Sequence, residues 1–144
     1  MGKKRIVKKG TSGVNQEMRA RALSRLSKTK LEKGVLHIQS TYNNTILTLS
    51  DLQGNVVMAA SAGAIGFKGA RKGTPYAAAK VAEVLVEKAK LAGLKSVSIE
   101  VKGVGSGRES AVRSFLAQDV ALDTIRDVTP VPHNGPKARK PRRV

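Results

Sequence analysis

Apolar and polar residues alternate over three short runs early in the chain. Val35–Tyr42 sets Leu36 and Ile38 on one face and His37 and Gln39 on the other, the period of a half-buried strand. Asn43-Asn44, a pair tolerant of positive φ, separates it from a second strand over Thr45–Ser50, which predicts a tight hairpin. Asp51–Asn55 is a further turn, with Gly54 supplying left-handed backbone, and Val56–Ala62 reads as a third strand. The pattern predicts an antiparallel meander.

The period then changes. Gly63–Gly73 is a basic, glycine-rich loop, and Thr74-Pro75 opens a helix with a hydroxyl N-cap and a proline at the first helical position. Ala78, Val81, Ala82, Leu85 and Ala89 form its apolar stripe, Lys80, Glu83, Glu87 and Lys90 face water, and Gly93 ends it. Lys95–Lys102 alternates again as a strand. Gly103–Gly107 leads into a helix over Arg108–Ala117, with Val112, Phe115 and Leu116 inward, and Val120–Val128 is the last strand. Thr129–Pro132 must be extended, because proline lacks a donor and restricts the residue before it. The order βββαβαβ predicts a single-domain α/β fold, a mixed sheet of about five strands flanked by helices, with later strands parallel through right-handed crossovers.

The length of 144 residues makes one domain the default. No cysteine is present, which suits a reducing compartment and excludes thiol catalysis and cysteine-held metal. No apolar run approaches the roughly 18 residues of a spanning helix, and the start, Met1 to Arg5, lacks the apolar stretch of a secretory signal.

Charge divides the chain into three expected parts: a basic arm (1–33), a globular body (34–132) and a basic tail (133–144). Of the net +17, residues 1–34 carry +9 and residues 133–144 carry +5, leaving the middle nearly neutral. Two cationic ends on a folded body suit a polyanion, and nucleic acid leads because each neutralised phosphate releases counterions. Residues 1–33 and 136–144 lack the apolar content to fold alone and are expected to order on RNA. Gln16–Lys33 is also weakly amphipathic through Met18, Ala22, Leu23 and Leu26, as in a mitochondrial presequence. Gly10–Gly13 interrupts the arm ahead of that stretch, so an RNA-binding arm is the favoured reading.

The two glycine loops each enter a helix N-terminus, where unpaired N–H groups attract phosphate, and Lys68, Arg71, Lys72 and Arg108 add charge. Ordinary strand-to-helix turns also use glycine; the surrounding charge favours a polynucleotide backbone. Neither loop has P-loop spacing, and the third glycine position of a dinucleotide fingerprint holds Arg108. The element order is shared with ribonuclease-H-like nucleases, but two-metal cleavage needs clustered carboxylates, and Val35–Tyr42 contains none. His37 and His133 show no serine or carboxylate pattern that would orient them. Four aromatics, Tyr42, Phe67, Tyr76 and Phe115, are too few for a base-stacking sheet, and strands separate the helices that a helix-turn-helix would pair. A general DNA-compacting protein is a third reading, disfavoured by the lack of a minor-groove wedge. Recognition of folded RNA through shape and phosphates remains, with no catalytic residue, cofactor or metal expected. Asn134-Gly135 adds a bond prone to deamidation or isoaspartate formation.

Four blocks resemble the bacterial small-subunit ribosomal protein eleven family: Gly34–Ile46, Ala62–Pro75, Val101–Ser110 and Asp127–Gly135, followed by the basic end. The resemblance implies a ribonuclease-H-related fold without its activity. It implies a structural role on the platform of the small ribosomal subunit, bridging several rRNA helices and lining the Shine–Dalgarno cleft that holds mRNA. Expected neighbours are small-subunit proteins seven and eighteen, with initiation factor three as a visitor, in a cytoplasmic ribosome or alternatively an organellar one. Carried over by residue, rRNA contacts are expected at Asn43 and Asn44, and at Phe67, Lys68, Gly69, Arg71, Lys72 and Thr74. They continue at Lys102, Gly105, Gly107 and Arg108. The tail adds His133, Asn134, Gly135, Lys137, Arg139, Lys140, Arg142 and Arg143. The arm before Gly34 is longer than is usual in bacterial members, so no contact is transferred to it.

Overall fold

Leu36, Ile38, Leu47 and Leu49 are fully buried and alternate with more open neighbours on β1 (Lys33–Ser40) and β2 (Thr45–Ser50). The structure is a computed structural model, and it describes residues 30–143. Leu36 lies directly opposite Leu49, and Ile38 opposite Leu47, so the antiparallel register is fixed by cross-strand apolar pairs. Outside β2 lies β3 (Val56–Ser61), antiparallel, with an irregularity at Leu49/Ser50. On the other side of β1 lie β4 (Ser96–Lys102) and then β5 (Ala121–Asp127), each parallel to its inner neighbour. The order β3-β2-β1-β4-β5 is the mixed five-stranded sheet that the sequence predicts.

The long helix α2 (Pro75–Leu91) packs on β2 and β3, and α3 (Arg108–Leu116) packs on β1 and β4 and against α2. The Thr74 hydroxyl accepts from the Ala77 N–H, and Pro75 sits in the first turn as expected. All five residues of the predicted stripe of α2 are fully buried, and Phe115 of α3 is the largest fully buried side chain.

Three expectations change. The 63–73 segment is not an open loop: it holds the short helix α1 (Ala62–Ile65) and a 3-10 turn (Gly69–Gly73). The Ser61 hydroxyl caps the Ala64 N–H, and left-handed Gly66 closes the turn, so local hydrogen bonding imposes regular backbone there. The β1–β2 turn does not use positive φ at Asn43 or Asn44. The Thr41 N–H donates to the Asn44 carbonyl, the Thr41 hydroxyl accepts from the Asn44 N–H, and the Asn44 side chain accepts from the Thr45 N–H. Side-chain closure of this kind replaces the left-handed pair. The packed body also starts before Gly34: Leu31 is buried, and its N–H donates to Ala92 O at 2.9 Å. Expectations for residues 1–29 lie outside the described residues.

Phe115 joins the helical layer to the sheet, so Phe115→Ala should lower unfolding stability by about 3–5 kcal/mol in urea titration. A loss below about 1 kcal/mol would mean that the core is not organised around it.

Candidate nucleic-acid interface

Because β1, β3, β4 and β5 all run in one direction, their carboxyl ends share one edge of the sheet. The β1–β2 tip, the 62–73 segment, the 103–107 loop and the start of the tail therefore all emerge together. Open α/β sheets place their ligand sites along this edge.

Backbone approach holds these segments in contact. A Cβ on Gly73 would overlap the Tyr42 carbonyl at the hairpin tip, and one on Gly105 would overlap the Thr41 carbonyl and the Ser40 hydroxyl. Gly107 is also closely packed, its added Cβ 2.7 Å from Ala78 Cβ and from Thr45 Oγ1. The Gly105 N–H donates to Ser40 O at 3.0 Å, and the Ser106 hydroxyl donates to Gly73 O at 3.0 Å, tying one glycine segment to the other. The Gly105 N–H is thus engaged inside the protein, and both Gly105 and Gly107 are buried. Their part in the site is to bring the loop against the hairpin.

The cations fall into two groups. Arg108 is committed internally: its guanidinium donates to Gly103 O, to the Thr129 hydroxyl at 3.2 Å and to the Asp127 carboxylate. Two hydrogen bonds from Thr129 and the Arg108 pairing hold the Asp127 carboxyl far below the usual carboxylate range. This network fastens the start of α3 to the end of β5 and sets where the tail leaves. Thr74 is likewise occupied, capping α2 and donating to Arg71 O at 2.7 Å. Lys68, Arg71 and Lys102 are exposed, and Lys72 is half-buried. None of these four makes an ion pair among the described residues. Cationic heads on a fixed frame, with no carboxylate partner, are suited to phosphate.

Asn43 is exposed at the tip, Asn44 is half-buried beside it, and Gly69 is exposed in left-handed backbone. Phe67 packs edge-on against Tyr76, with ring centroids 6.0 Å apart, and Lys80 lies 5.7 Å above the Tyr76 ring. The tail from His133 through Asn134, Gly135, Lys137, Arg139 and Lys140 to Arg142 and Arg143 is exposed and carries no regular structure, with Asn134 left-handed at φ 56°. Tyr42 is absent from the predicted contacts, yet its side chain is 77% exposed at the hairpin tip. Its position next to Asn43 was the available signal.

His37 is better partnered than its sequence neighbours suggest. Ser50 Oγ lies 3.0 Å from its Nε2 and Glu100 Oε2 lies 3.2 Å from its Nδ1, contributed by the strands on either side. Ser50 is buried and also leans on Val35 O, so the trio braces the sheet rather than presenting a nucleophile. Among the described residues no group of three or more His, Asp or Glu is placed to hold a metal ion.

Gly105→Ala should destabilise the fold by about 1–3 kcal/mol in urea titration through overpacking. Gly63→Ala, whose Cβ would meet only Lys72 Cδ at 3.7 Å, should be nearly neutral. Equal effects would contradict the close-approach reading. Asp127 also sets a pH dependence. With its native pKa depressed, its contribution is complete above the ordinary aspartate value of about 4 and is lost as pH falls through the native value. The melting-temperature advantage over Asp127→Asn should therefore shrink steadily below about pH 4; an advantage that grows on acidification would contradict the network.

Comparison with known proteins agrees with the residue blocks. A family model described as ribosomal protein S11 matches residues 34–143. The small ribosomal subunit protein uS11 of Kosmotoga olearia is 50% identical over 129 residues, an alignment covering 85% of this chain and 99% of that protein. With the cationic edge described above inside the matched region, the chain belongs to the ribosomal protein S11 family.

Proposed function

We propose that this chain grips and bridges rRNA helices on the platform of the small ribosomal subunit, using the carboxyl edge of its sheet and its two basic ends. By its family it is a structural constituent of the small subunit, acting in translation within the ribosome, and not an enzyme. The observation that carries the finer reading is the convergence of Lys68, Arg71, Lys72 and Lys102 on one edge with no acid paired to them among the described residues. The exposed Asn43 and Tyr42 add hydrogen-bonding and stacking groups beside these charges. The tail leaves the same edge after Thr129 and carries Lys137, Arg139, Lys140, Arg142 and Arg143 outward. A compact grip on the sheet edge, joined to an exposed basic tail, lets one small body touch RNA segments that are distant from each other. On the same reading the chain helps form the Shine–Dalgarno cleft, beside small-subunit proteins seven and eighteen and within reach of initiation factor three. In a bacterium this is a cytoplasmic ribosome.

Binding to platform rRNA, random RNA and duplex DNA at fixed salt tests this. The wild-type chain should prefer platform rRNA, and an Arg71→Gln/Lys72→Gln variant should bind more weakly. Its salt slope should be shallower by roughly 0.7–0.9 log units per decade for each phosphate that is no longer neutralised. Equal affinity for all three nucleic acids, or an unchanged slope, would contradict the proposal; magnesium-dependent cleavage of the RNA would revive the nuclease reading.

A further inference from the structure

The far side of the sheet presents a second surface with different chemistry. β5 ends the sheet, and every residue from Ala121 to Asp127 is exposed. Among the described residues, alternate N–H and C=O groups along its outer edge have no strand beside them, which is a template for a further strand. The helical layer lies over β1 to β4 and stops short of β5. In register, Leu122 lies beside Val97 and Ile125 beside Ile99, two fully buried residues, so both point toward the helical side. They remain 41% and 52% exposed because neither α2 nor α3 covers them. A groove of about 320 Å³ runs between β5 and α3, lined by Val101, Val112 and Ile125 with Arg108, Glu109 and Arg113.

We infer that this edge and groove take an extended, amphipathic segment of a neighbouring small-subunit protein, added to the sheet beside β5. The charge pattern decides between protein and RNA. Glu109, Asp123 and Asp127 here match Arg108, Arg113 and Arg126 in number, whereas the carboxyl edge presents unpaired cations. Charges that cancel around an apolar strip give phosphate no net attraction. An apolar centre with a balanced polar rim is the anatomy of a protein interface. Backbone pairing along β5 would supply affinity, and the groove would select alternate apolar side chains of the added strand. The irregularity in the β4–β5 ladder at Val97/Ser98 and the charges at 123, 126 and 127 restrict which strand fits, which keeps the edge from pairing indiscriminately. This inference rests on the chain's place in the small subunit and not on the RNA contacts.

Photo-crosslinking in small subunits carrying the full chain separates the two surfaces. An Ile125→benzoylphenylalanine chain should crosslink to a peptide of another small-subunit protein, while a Tyr42→benzoylphenylalanine chain should crosslink to rRNA. A position-125 crosslink to rRNA, to residues 1–29, to a second copy of the chain, or to nothing would overturn the inference. A position-42 probe that misses rRNA would overturn the RNA reading alone. Hydrogen exchange of the unsubstituted chain gives an independent readout: β5 amides should exchange at least about tenfold more slowly in the subunit than in the free chain. Unchanged β5 rates would overturn the inference even if the probe at position 125 had blocked docking.

Discussion

At the carboxyl edge of the sheet, main chain rests on main chain. The 3-10 turn before α2 and the loop before α3 both press on the Ser40–Asn43 turn at distances that only glycine permits. Everything functional at this edge depends on that contact. It replaces side-chain contacts with backbone hydrogen bonds and the Ser106–Gly73 link, so Lys68, Arg71, Lys72 and Lys102 project from one rigid corner. Charges on such a frame lose little freedom when phosphates bind, which is the physical advantage of preorganisation.

The same edge sorts its cations by role. Arg108 lies among the glycines and looks like a phosphate ligand, but its hydrogen bonds go to Gly103, Asp127 and Thr129. It acts as a clamp between α3 and the end of β5. Neutralising it would therefore move the loop and the tail together, whereas neutralising Arg71 removes charge and leaves the frame in place. A basic residue in a glycine loop is not automatically a contact residue; its carboxylate partners decide.

Much of this was legible in the residues. Alternation gave β1, β2 and β4 within two residues, and Thr74-Pro75 located the start of α2, because these signals are local. The parallel half of the sheet followed from connection rules alone. What stayed hidden was long-range. Nothing near Gly73 in sequence points to Tyr42, and nothing near His37 points to Glu100; both meetings arise only when the sheet closes. The hairpin turn was misjudged for a local reason, since Asn-Asn suggests left-handed backbone while Thr41 offers a competing side-chain closure. The uncovered β5 was equally invisible, because an alternating run does not reveal which strand lacks a helix above it.

The most direct measurement is a density map of the small ribosomal subunit containing this chain, at a resolution that shows side chains. The heads of Lys68, Arg71, Lys72 and Lys102 should lie at ion-pair distance from rRNA phosphates, with the Tyr42 tip against the same RNA. A map in which that corner faces solvent, while rRNA lies along the acid-bearing β5 edge instead, would contradict the assignment of the carboxyl edge as the RNA grip.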